Sequence, residues 1–192
     1  VIVAGGMESM SRAPYLLRGA RNGFKYGDQT AADSLIVDGL WCPFENRAMG
    51  DSAEYTASTC GVSRADQDRF AAQSHRRAAA AWERGDFAAE VVPVTAPGRT
   101  PVVVAKDEGI RADTTAEGLA KLKPAFQKDG TVTAGNASQL SDGAAALVVA
   151  SPAAAERIGT PPLARVIAYA TSGVAPKDIF VAPVSAVRMV LE

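Results

Sequence analysis

The sequence predicts an α/β protein in which a layered core is interrupted by a large insertion, and three observations support this. Residues 1–4, VIVA, are apolar and β-branched and run into Gly5-Gly6, the pattern of a buried strand ending in a tight turn. Near the other end, GAAALVVAS (143–151), PAAAERIG (152–159) and LARVIAYATSGV (163–174) alternate strand, helix and strand, the rhythm of a layered α/β core. Residues 11 to 139 between them have a different character. The two apolar strands are therefore expected to share one sheet, with the intervening residues as an excursion from it.

Within that excursion, RGARNGFKYG (18–27) carries Asn22-Gly23, the dipeptide suited to a type I′ turn, and predicts an exposed hairpin. A short helix is expected to start at Asp51 or Ser52 and stop before Gly61. Ser63-Arg64-Ala65-Asp66 approximates a capping box, after which Phe70, Ala71, Ser74, Ala78, Ala81 and Trp82 fall on one helical face until Gly85. EVVPVTAP (90–97) and TPVVVAKDE (100–108), punctuated by prolines, predict edge or irregular strands. TTAEGLAKLKPAF (114–126) predicts a helix of one or two turns, capped by threonine and closed by Pro124.

Bulk composition excludes several function classes. The 192 residues are 47% hydrophobic and 21% charged with a formal charge of -1, which excludes a disordered tail and a polyanion binder. No apolar run approaches the roughly 20 residues that span a bilayer, and the first residues lack a signal-peptide pattern, so no membrane association and a cytoplasmic location are expected. Arg12, Arg18, Arg21 and Lys25 are sparse and lie near Glu8 and Asp28, so no nucleic acid partner is expected. Neither the dinucleotide-binding glycine pattern nor a phosphate-binding P-loop occurs. Cys42 and Cys60 lack the spacing and histidine company of a zinc site, so no metal is expected, and both are read as small, packed, reduced thiols. His75, followed by two arginines on a helix, is read as solvated surface.

Six segments in order, VIVAGGMESMSRAPY, DSLIVDGLW, MGDSAEYTA, SRADQDRFAAQSHRRAAAA, KLKPAFQKDGTVTAGNASQLSDGAAAL and VAPVSA, together resemble the thiolases, the acetyl-CoA acetyltransferase and 3-ketoacyl-CoA thiolase family. The resemblance implies part of a layered αβαβα core with a large inserted loop domain. Residues 1–10 would end the first thiolase half, 11–139 would form the loop domain over the coenzyme A site, 140–158 would return to the first half, and 159–192 would open the second. It also implies an internal segment of a longer acyltransferase, one that condenses two acyl-CoA molecules or cleaves a 3-ketoacyl-CoA through a cysteine acyl-enzyme. Family chemistry uses a nucleophilic cysteine, an activating histidine and a second, proton-moving cysteine. None of those motifs lies in these residues, so no catalytic residue is assigned, neither Cys42, Cys60 nor His75 included. No cofactor is implied, since coenzyme A thioesters are substrates. The intact enzyme would be a homodimer or homotetramer, the predicted hairpin aiding tetramer assembly.

For substrate binding, the resemblance points to Met49, Arg111, Ala125, Phe126, Ala134 and Ser138, with Leu40 as a further candidate. Small or apolar walls with a hydroxyl suit the thin pantetheine arm, and an arginine suits the nucleotide end. Two positions depart from relatives: Ala48, where some carry histidine, and Gln139, where many carry glycine and where a side chain would narrow the approach to pantetheine. The alternative from another class is a catalytically silent coenzyme A-binding or assembly module.

Overall fold

The computed structural model describes residues 1–192. Contacts group them into two compact units, one made of Val1–Ser52 with Leu140–Glu192 and the other of Ala53–Gln139. The sequence starts the excursion at residue 11, whereas residues 11–52 group with the terminal segments. Specific bonds account for this: Ser11 binds Asp142, and an Arg47 guanidinium nitrogen donates to the Lys177 carbonyl at 3.5 Å.

In the first unit, β1 (Ile2–Ser9) pairs antiparallel with β8 (Asp142–Val149), in a register running from Ile2↔Val149 to Ser9↔Asp142. The two apolar strands thus share one ladder, as their composition predicts. The strand does not stop at Gly5-Gly6. A Cβ on Gly5 would lie 2.3 Å from the Ala145 carbonyl oxygen, so this glycine permits a close approach of two backbones and makes no turn. At the far end of the ladder, the Ser11 hydroxyl and amide donate to Asp142 and hold its carboxyl below the usual range.

The hairpin expected at Asn22-Gly23 is replaced by a longer connection. Short strands β2 (Tyr15–Leu16) and β3 (Ala32–Asp33) pair at its base, and a 3-10 turn occupies Ala20–Asn22. The positive-φ positions of residues 18–27 are Gly19, Gly23 and Gly27, at φ 85°, 79° and 123°, with Asn22 not among them, so the I′ geometry is not formed. Strands β4 (Trp41–Cys42) and β5 (Arg47–Ala48) follow, and α1 (Met49–Thr59) starts two residues before Asp51. Its first amide is satisfied by the Leu40 carbonyl at 2.9 Å, which removes the need for a side-chain cap there. Of the two thiols, Cys42 is buried as expected and Cys60 is exposed, contrary to the packed reading.

After β8, the Ser151 hydroxyl caps α4 (Pro152–Ile158) and left-handed Gly159 ends it. Residues 163–174, predicted as a strand, pair with nothing, and Leu163, Val166, Ile167 and Tyr169 are exposed. An apolar β-branched run becomes a strand only when a partner takes its amides and carbonyls. The chain then forms α5 (Ala182–Leu191).

The second unit is organised on α2 (Arg64–Arg84). The Ser63 hydroxyl accepts the Asp66 amide and donates to the Asp66 carboxylate, and Gly85 at φ 76° terminates the helix, both as the sequence predicts. Strands β6 (Val94–Ala96) and β7 (Val102–Val104) form an antiparallel hairpin, and Thr115 caps the one-turn α3 (Ala116–Leu119). The core gathers Ala72, Leu119 and Val132 around three buried polar residues, Glu54, Asp68 and Thr133. The packed stripe of α2 is therefore centred on Asp68 and Ala72, while Phe70, assigned to it from periodicity, is 71% exposed.

The ladder generates a paired prediction. Gly5→Ala should destabilise the chain by about 1–3 kcal/mol, because the methyl group meets the Ala145 carbonyl and the paired backbones must separate to admit it. Gly6→Ala faces open space and should stay within about 0.5 kcal/mol of the unaltered chain. Urea unfolding of both variants checks this, and equal effects would contradict the close approach.

Candidate functional site

Residues 131–138, TVTAGNAS, have no regular structure, so their amides need partners outside a ladder or helix. A carboxylate takes two of them, the segment's own oxygens take those of Thr133, Gly135, Asn136 and Ala137, and a second carboxylate anchors the Asn136 side chain. Glu54 on α1 accepts the amides of Thr131 and Val132, each at 2.8 Å, and the Thr131 hydroxyl at 2.8 Å. Burial works to raise the pKa of Glu54, but these donors, aided by the charge of Arg64, outweigh it and hold the carboxyl below its usual range. Asp68 on α2 accepts the Asn136 side-chain amide at 2.9 Å, and Asn136 in turn accepts the Thr133 amide at 2.7 Å. Arg64 completes the frame. Its Nε meets Asp68 at 2.8 Å, and a terminal nitrogen donates to the carbonyls of Leu119 and Leu122 at 2.6 and 3.0 Å.

This frame shapes a cavity of about 850 Å³ within the second unit. One wall is the α2 face of Phe70, Ala71, Ser74 and His75; a second is the segment Gly109–Thr115; Leu119 and Leu122 form its base, and residues 134–139 close it. Such a volume suits a ligand of cofactor size. His75 is half-buried, and its Nδ1 accepts the Arg111 amide at 3.2 Å. Gln139 packs its side chain so tightly on the Gly109 backbone that a Cβ there would lie 1.7 Å from its Oε1. A smaller hollow of about 350 Å³ lies beyond the shared wall and is lined by Arg69, Arg76, Asp113 and Glu117 among others.

Of the residues singled out from sequence, Arg111, Ala134 and Ser138 converge on the larger cavity. Ala125 and Phe126 are not among its lining: the Ala125 amide donates to the Val132 carbonyl at 2.9 Å, and Phe126 is exposed. Leu40 and Met49 belong to the other unit, where they bond to each other through the backbone. Sequence reasoning missed Phe70, Ser74, His75 and Gly109 as cavity residues. The 70, 71, 74 spacing was itself visible as a helical face; what it borders, a hollow in place of packed side chains, depends on segments far away in sequence.

Residues 1–153 match the family model described as Thiolase, N-terminal domain. The chain belongs to the thiolase family. The thiolase chain is 51% identical over 194 aligned residues to an acetyl-CoA acetyltransferase of Pseudomonas aeruginosa, covering 100% of its own length and 49% of that protein. It therefore spans about half the length of such relatives. Among solved structures, the Bacillus anthracis acetyl-CoA acetyltransferase superposes with a TM-score of 0.93 at 43% identity, over 98% of this chain and 48% of that one. Human mitochondrial 3-ketoacyl-CoA thiolase, solved in complex with CoA, superposes with a TM-score of 0.90 at 41% identity, over 98% and 47% of the two chains. The thiolase-like α/β fold class inferred from the motifs is thus established. No helix of this thiolase chain is long and apolar enough to cross a membrane.

The Glu54 frame predicts a definite pH dependence. A carboxyl whose folded pKa is depressed contributes stability above the unfolded pKa of about 4.3, and that contribution disappears as pH falls through the lower folded value. Glu54→Gln should therefore cost about 1.5–3 kcal/mol at neutral pH, and the gap to the unaltered chain should shrink in acid. Urea titrations at several pH values check it; a gap that stays constant down to pH values below the folded pKa would contradict the assignment.

Proposed function

We propose that this chain is the coenzyme A-gripping portion of an acyl-CoA acyltransferase of the thiolase type. Its reaction would be the condensation of two acyl-CoA molecules, or the thiolytic cleavage of a 3-ketoacyl-CoA, through a cysteine acyl-enzyme, in fatty acid metabolism. The observation that carries the reading is the convergence of Arg111, Ala134 and Ser138 on one cavity in a chain of this family. Arg111 offers a fixed cation and a planar donor fork for phosphate or stacking with a base. Ser138 offers a hydroxyl to a pantetheine amide, and Ala134 a wall that leaves room for its gem-dimethyl carbons. Met49, Leu40, Ala125 and Phe126 complete the assigned set from the motif resemblance. Gln139, lying against Gly109, narrows the same cavity and favours a slender ligand there.

In this reading coenzyme A thioesters are substrates, with no bound cofactor or metal, and the working enzyme is a homodimer or homotetramer of the cytoplasm. The thiols of this chain have no part in the chemistry. Cys42 is buried, and Cys60, though exposed, has no base assigned to it.

Isothermal titration of the full chain with coenzyme A tests the proposal. Arg111→Ala should weaken binding about 10- to 100-fold, the range for a bond to a charged group, and Ser138→Ala about threefold to tenfold. Binding unaffected by both would refute the site. Incubation with acetyl-CoA should leave the intact mass unchanged, and one acetyl group per chain on Cys42 or Cys60 would overturn the exclusion of these thiols.

A further inference from the structure

His75 stands in the cavity wall, yet the binding described above makes no use of its imidazole. Its Nδ1 accepts the Arg111 backbone N–H at 3.2 Å, across 36 residues of sequence. An Nδ1 that accepts carries no hydrogen, so the ring proton resides on Nε2. The segment being held, residues 109–115, contains neither helix nor strand, and its Arg111 carbonyl is turned inward to accept the Thr114 amide at 3.2 Å. A wall without a ladder of its own depends on such side-chain ties for a fixed position.

We propose that His75 is a positioning residue of the cavity. Its Nδ1 acceptor holds the wall that carries Arg111 and Asp113 against α2. Without that acceptor the wall is released and the cavity loses affinity. The identity of the ligand rests on the coenzyme A reading above; the tie itself does not.

Three variants of the full chain separate positioning from bulk. In His75→Asn, Oδ1 takes the place of Nδ1 and keeps an acceptor; His75→Gln carries its acceptor farther out, and His75→Ala has none. Titration with coenzyme A near pH 8 should show Ala and Gln weakened about threefold to tenfold and Asn within about twofold of the unaltered chain. Hydrogen exchange at the Arg111 amide without ligand should accelerate in His75→Ala and stay near the unaltered rate in His75→Asn. If His75→Ala fails to fold, the Asn and Gln variants decide the matter. Equal affinity in all variants, or exchange at Arg111 indifferent to substitution, would overturn the role. Absence of coenzyme A binding by the unaltered chain would instead refute the ligand assignment, while the exchange measurement still decides on His75.

Discussion

Two buried carboxylates determine the shape of the cavity. A loop with no ladder or helix must find partners for its polar groups, and from neighbouring helices Glu54 takes two of its backbone amides while Asp68 takes the side-chain amide of Asn136. Removing a charged group from water costs several kcal/mol unless donors replace the lost hydration. The dependence therefore runs both ways: the loop needs the acids to be ordered, and the acids need the loop to remain ionised. Arg64 ties this exchange to α3 through the Leu119 and Leu122 carbonyls, so the base of the cavity and the segment bearing Ser138 are set by one connected set of bonds.

Some of this was open to inspection before any coordinates. Caps are local chemistry, and Ser63, Gly85, Thr115, Ser151 and Gly159 all act as their residue types and neighbours indicate. Pairing of the two most apolar strands was likewise inferable from their composition. Features that rest on distant partners were not. Asn22-Gly23 has the local signature of a tight hairpin, yet the strands it was expected to join pair farther out at Tyr15–Leu16 and Ala32–Asp33. Residues 163–174 have strand composition and no strand beside them. Nothing near Glu54 in sequence distinguishes it from an ordinary surface acid, since its amide donors lie 77 and 78 residues away, and Asp68 shows only its helical neighbour Arg64 while its Asn136 donor lies 68 residues away. The gathering of Arg111, Ala134 and Ser138 was accessible only through family motifs, and the bond from Arg111 to His75 was not foreseeable because its donor is a backbone amide, which no side-chain pattern reveals.

Gln139 and Gly109 illustrate how such contacts couple positions. The amide side chain lies where any Cβ on residue 109 would have to be, so the two positions are sterically exclusive of larger pairs. A side chain at residue 109 would turn the Gln139 amide out of its present place, and the segment it lies on also carries Arg111. Cavity width and the placement of its cation are thereby linked through a contact that involves no ligand.

The β1–β8 ladder has a consequence for biosynthesis. Its closing bond joins residues 131 positions apart in the chain. At about 5–20 residues per second, translation delivers the second strand roughly 7–26 s after the first. During that interval the edge of β1 that faces β8 waits on the ribosome without its partner, long enough for chaperones to engage it and for neighbouring nascent chains to compete for that edge.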